Sequence, residues 1–176
     1  MANIFSKINL NLPNIDLNNL LGDISQNMGG YDVFKICKIK NSTYLDELLK
    51  DKIVFNIPPR RVNITIIEPG GANYAHTDVN SVALNYYIKA EEEITTFFDN
   101  PDGHKNPSFA RGAYSYDIQK LIPISHFQAK TNECYLLNTH IPHLVTNVHE
   151  KYDRIILRFI WNKKSFDEIL ESIEIL

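Results

Sequence analysis

The sequence predicts a mainly β fold, a double-sheet jelly roll with flanking helices. Eight or more short apolar segments with turn residues between them run from about residue 53 to residue 161. Helical periodicity falls at the two ends of that region, and no regular alternation of strand and helix signals a parallel α/β sheet. The 176 residues suit one domain: an N-terminal extension of about residues 1–50, a β core of about 53–161 and a C-terminal helix of about 165–175.

The extension is rich in Asn, with Pro13 and the Gly29-Gly30 pair breaking any long periodic element, and reads as a lead-in packed on the edge of the core. Residues 31–39 alternate as a first strand. Thr43 then opens an S/T-x-x-D start, and Leu45, Leu48 and Leu49 mark a short amphipathic helix. Residues 53–57 form an apolar run stopped by Pro58-Pro59, and in residues 62–67 Val62, Ile64 and Ile66 share one face. Further strands are expected at 82–88, 94–98, 113–118, 124–129, 134–137, 143–148 and 154–161. The polar, proline-bearing segment 99–108 reads as a loop of the kind that shapes the mouth of a site. Ser165 and Glu168 form a capping box ahead of the stripe Phe166, Ile169, Leu170 and Ile173.

Composition excludes several classes. With 44% hydrophobic and 22% charged residues, and no apolar run approaching about 20 residues, no membrane span is expected. The first residues lack the pattern of a signal peptide, so an intracellular, cytoplasmic protein is expected. Cys37 and Cys134 lie far apart, offer neither a zinc knuckle nor a disulfide framework, and read as core residues. A net charge of −3 and a pI near 6.1 argue against nucleic acid as a partner.

The chemistry concentrates in two stretches. The first runs from Glu68-Pro69-Gly70-Gly71 to His76-Thr77-Asp78. In an extended segment residues i and i+2 lie on one side, about 6.5 Å apart, so the imidazole and the carboxylate can converge on one ion. The second holds His143, preceded by Pro142 and opening a predicted strand. Two histidines and one carboxylate occupy one face of an octahedral ion and leave the other open, a set that most often serves Fe(II). Eleven positions on stands Arg154. It shares strand parity with Ile156 and Arg158, while Ile155, Leu157, Phe159 and Trp161 share the other, so both arginines face a polar pocket. A buried arginine there would grip a carboxylate with two parallel hydrogen bonds; the plainer alternative is an exposed edge residue paired with Asp153 or Glu150. His140 is the other candidate for the distal ligand. His104, His126 and His149 read as loop or surface residues, and Phe97 and Phe98 as barrel packing.

This pattern of His76, Asp78, His143 and Arg154 resembles that of the Fe(II)- and 2-oxoglutarate-dependent oxygenases, which share a double-stranded β-helix of jelly-roll, cupin-like type. The local texture at Glu68-Pro69-Gly70-Gly71, Leu84-Asn85-Tyr86-Tyr87-Ile88 and Pro142-His143-Leu144-Val145-Thr146-Asn147 is similar to small members related to the aspartyl/asparaginyl β-hydroxylases and to phage-encoded hydroxylases. The likeness spans roughly residues 60–161. It implies that His76, Asp78 and His143 hold Fe(II), that Arg154 binds the far carboxylate of 2-oxoglutarate, and that O₂ is consumed in hydroxylating an unactivated C–H bond. Where relatives often carry a serine two positions after the arginine, this chain has Ile156, so Arg158 or a tyrosine, Tyr86 or Tyr87, is expected to share the cosubstrate. Asp78 implies hydroxylation over halogenation. The expected substrate is a small amino-acid-like molecule or a peptide side chain, with Arg60, Arg61, Arg111 and Arg158 as candidates to meet an acidic group. Two rival readings are a cupin-like metalloprotein that does not use 2-oxoglutarate and a non-catalytic binding protein that has kept the barrel.

Overall fold

A computed structural model describes residues 3–27, 34–69, 74–79, 82–107, 114–146 and 151–176. The chain runs β1 (Phe5–Ile8), α1 (Leu17–Leu20), β2 (Leu21–Asn27), β3 (Phe34–Ile39), α2 (Ser42–Leu49), β4 (Ile53–Phe55), β5 (Arg61–Ile67), β6 (His76–Thr77), β7 (Val82–Lys89) and β8 (Ile94–Asp99). There follow β9 (Asn106–Pro107), β10 (Tyr114–Ser115), a 3-10 turn (Ile118–Lys120), β11 (Ile122–Gln128), β12 (Cys134–Asn138), β13 (His143–Thr146), β14 (Arg154–Trp161), α3 (Phe166–Ser172) and β15 (Ile173–Ile175).

Seven strands form one sheet in the order β1-β12-β7-β14-β5-β3-β2, and six form another in the order β11-β8-β13-β6-β10-β9. The core strands β5, β7, β12 and β14 belong to the first and β6, β8, β11 and β13 to the second. The chain therefore changes sheet at every step but β8 to β11, which is the winding of an antiparallel jelly roll. The expected mainly β, jelly-roll class is what the structure has. No helix among the described residues is long and apolar enough to cross a membrane.

Period-two alternation sorts β7 and β14 between two cores. Val82, Leu84, Tyr86, Leu157, Phe159 and Trp161 point outward into a core closed by Leu20, Leu45, Phe166 and Ile169 of the helices and their caps. Tyr87, Tyr135, Leu137 and Ile156 point inward and meet Phe97 and Phe127 of the facing sheet. The inner space between the sheets is thereby packed with aromatic rings at one end; Phe127 stacks on Tyr135 with centroids 4.2 Å apart.

Several expected boundaries shift. The extension supplies both edges of the seven-stranded sheet: β1 pairs with β12, and β2 with β3. Of the strand expected at 31–39, residues 31–33 lie outside the described residues, as do 147 and 148 of the strand expected at 143–148. Helix α2 is capped by Asn41, whose side chain accepts from the Tyr44 amide at 3.0 Å, and not by Thr43. Residue 113 of the strand expected at 113–118 lies outside the described residues, and the rest shrinks to β10, because Asp117 accepts from the Gln119 amide and starts the 3-10 turn. The capping box at Ser165 and Glu168 forms, but the C-terminal helix stops at Ser172. The remaining isoleucines pair with β4 as β15, where β-branched side chains fit a pleated edge.

Leu157 is fully buried in the outer core at the centre of β14. Leu157→Ala is expected to lower unfolding free energy by about 3 kcal/mol, read as a shift of the urea midpoint without change in the slope.

Candidate metal centre

The His76–Asp78 segment reaches the inner space because β6 pairs on one side with β13 and on the other with β10. In the first pairing His143 lies directly opposite His76, with ring centroids 4.5 Å apart. The Asp78 amide donates to the Thr139 carbonyl at 3.0 Å and holds the end of the segment in place. One nitrogen of each histidine and one oxygen of Asp78 lie within 4.8 Å of one another, a grouping that can hold a metal ion.

Backbone contacts select the nitrogens that face the cluster. His76 Nδ1 lies 2.8 Å from the Tyr74 carbonyl and His143 Nδ1 lies 2.9 Å from the Ile141 carbonyl. A carbonyl only accepts, so each Nδ1 carries a proton and each Nε2 points inward as the nitrogen left for an ion. Asp78 divides its two oxygens. Oδ1 lies 3.5 Å from His76 Nε2, and Oδ2 accepts from Arg158 Nη2.

Charge follows this geometry. Burial acts to raise the Asp78 carboxyl, but the Arg158 guanidinium, a hydrogen bond from His76 and the two imidazoles outweigh it and hold the group far below the usual carboxylate range. Burial acts to lower His76, yet its contacts with Asp78 and the Tyr74 carbonyl leave it raised. His143 is pushed down to about 4 by burial, with the neighbouring imidazole adding to the effect.

Arg154 is 1% exposed and lies on β14 between β5 and β7, so the exposed edge pairing considered from the sequence does not occur. Its Nη2 donates to Thr95 Oγ1 at 3.4 Å, and its guanidinium carbon sits 5.0 Å from the Tyr87 ring centroid. Arg154 Nε and the Tyr87 hydroxyl are both buried without a hydrogen-bond partner. Tyr86 is a correction. One residue away in a strand means the opposite face, so Tyr86 lies in the outer core, where its hydroxyl donates to Asn132 Oδ1 at 3.3 Å; Tyr87 is the tyrosine of the inner face. Arg158 faces inward as expected but reaches Asp78 and not the Arg154 end. His140 is exposed, and Arg111 and His149 lie outside the described residues. Asn63 and Asn85, which flank Arg158 across both neighbouring strands and are 4% and 6% exposed, were not singled out from the sequence. Polar residues at inward parity on two apolar strands were the available signal.

The sequence matches no family model, and no curated protein matches it. Among solved structures it is similar to oxalate decarboxylase of Bacillus subtilis, including a form at pH 4.6 and one studied for its Mn(II) centres. Each shows 15% identity, a TM-score of 0.42, and coverage of 86% of this chain and 30% of that chain. The chain thus spans about a third of the length of these proteins. The jelly-roll assignment rests on the strand order and not on this likeness.

In metal-free protein the sign of the pH effect follows from His143. Its folded value lies below the ordinary 6.5, so between about pH 6.5 and about 4 the unfolded chain takes up a proton that the folded chain refuses, and stability falls on acidification. Asp78 adds a further loss below its ordinary 3.8. His76 works the other way, its contribution being present below 6.5 and lost as pH rises through its raised value. Urea midpoints of chelator-treated protein are expected to drop from pH 6.5 to pH 4, and His143→Asn to flatten that slope.

Proposed function

We propose that His76, Asp78 and His143 hold a divalent metal ion, which makes this chain a cupin-like metalloprotein. The supporting observation is their convergence within 4.8 Å with both Nε2 atoms turned inward by backbone hydrogen bonds. Three protein ligands leave coordination positions for a small molecule, so the centre suits catalysis better than a closed structural site.

The finer reading is an Fe(II)- and 2-oxoglutarate-dependent dioxygenase that hydroxylates a small molecule or a peptide side chain. Arg154 supports it. A permanently charged group with an unpartnered donor, buried beside an unpartnered tyrosine hydroxyl on the face that also carries Arg158, is what a distal carboxylate would satisfy. When bound, Fe(II) and the oxo acid supply O₂ activation, one oxygen atom going to the substrate C–H bond and the other to succinate as CO₂ leaves. The chain's own residues bind and orient. Arg154 and Tyr87 take the cosubstrate's far end, Arg158 turns the Asp78 carboxylate so that Oδ1 faces the histidines, and the ring cluster of Phe97, Phe127 and Tyr135 keeps water from the Arg154 end.

A second reading is a metal centre that does not use 2-oxoglutarate. It is favoured by the contacts Arg154 already makes with Thr95 and Tyr87, which suit a structural core arginine.

Anaerobic Fe(II) with 2-oxoglutarate is expected to give a weak visible charge-transfer band, and Arg154→Ala to abolish it at cosubstrate levels that saturate the wild type. Tight metal binding without a band would leave the second reading in place. Failure to bind Fe(II), Mn(II) or Zn(II) would overturn both. Asp78→Ala is expected to weaken metal binding by at least tenfold, about 1.4 kcal/mol.

A further inference from the structure

The charges on the inner face do not balance. The buried or nearly buried ionic side chains there, among the described residues, are Asp78, Arg154 and Arg158. The other buried acid, Glu93, is turned to the Glu91 amide in the β7–β8 turn. Two arginines and one aspartate leave one positive charge; a divalent ion would add two, and a dicarboxylate cosubstrate would remove two. One positive charge then stands in a space of low dielectric, where an uncompensated ion is costly.

The unsatisfied atoms show where that charge can be met. On β14 the residues Arg154 and Arg158 are four apart, about 13 Å along the strand, so one small dicarboxylate on Arg154 does not also serve Arg158. Arg158 spends Nη2 on Asp78, while its Nε is buried without a partner. Directly across the strand pair, Asn85 Oδ1 is also buried without a partner. A donor on a cation thus stands beside a bare acceptor, next to the metal ligand Asp78.

We propose that Arg158 and Asn85 form the recognition site for a substrate of net charge minus one, with a carboxylate for Arg158 and a neutral N–H or O–H donor beside it for Asn85. An N-acylated amino acid or a peptide C-terminus has this chemistry. Sulfate does not, because an oxyanion made only of acceptors leaves Asn85 Oδ1 bare. A free zwitterion would leave the surplus charge in place. The inference rests on the divalent-ion reading and holds whether or not 2-oxoglutarate is the cosubstrate, since without a dicarboxylate the surplus is larger.

The test uses Zn(II)-loaded protein, with and without 2-oxoglutarate, titrated by calorimetry with N-acetyl amino acids and with the carboxamide of each. At least one acid is expected to bind about tenfold or more tightly than its own carboxamide, the worth of one charge-assisted contact. Asn85→Asp, which supplies the missing negative charge in place, is expected to weaken that acid by about tenfold or more while Zn(II) affinity stays within about threefold of wild type. Asn85→Ser provides the same comparison should the aspartate variant fail to fold, with loss of the Asn85 contact alone. The proposal is overturned if no acid of the panel binds, if acid and carboxamide bind alike, or if the Asn85 variants bind the acid as the wild type does. A flat Zn(II) titration would instead sink the metal reading, and this one with it, and is recognised before any acid is added.

Discussion

Strand β14 lies between β5 and β7 and cannot slip by one residue without exchanging its two faces. In register, Leu157, Phe159 and Trp161 fill the outer core and Arg154 and Arg158 enter the barrel. Out of register, two guanidinium groups would stand among leucines and an indole would stand between the sheets. The same register sets Arg158 opposite Asn63 on one side and Asn85 on the other, so hydrophobic packing outside the barrel decides which polar groups meet inside it.

The facing sheet has a simpler task, to deliver three side chains to one point. It does so with a very short strand. Two residues of β6 suffice because β13 and β10 hold them from both sides, and the Asp78 amide is tied to Thr139. Opposition of His76 and His143 then follows from pairing, not from long-range side-chain contacts.

The jelly-roll class was legible in the sequence because the core strands other than the two-residue β6 alternate or run apolar and because helical periodicity stays outside them. β14 was legible to the residue, since its inner and outer sets differ so strongly in polarity. Proximity of His76, Asp78 and His143 was legible from spacing within one stretch and from resemblance across two. Other features were not. The Asn-rich start carries weak alternation, and its strands form because β12 and β3 offer edges to pair with, a tertiary effect. Tyr86 and Tyr87 stand side by side in an apolar strand, so composition does not say which enters the barrel. The pairing of Arg158 with Asp78, eighty positions earlier, leaves no local trace at all.

Both histidines are oriented by the carbonyl of the residue two positions before them, Tyr74 for one and Ile141 for the other. Main-chain oxygens are present whatever side chain occupies those positions. The choice of the nitrogen that faces the cluster is therefore immune to substitution at 74 and 141, short of a change that bends the backbone. Evolution can repaint the rim around the cluster, including the exposed Tyr74, to suit a new guest while the inward set of each imidazole persists.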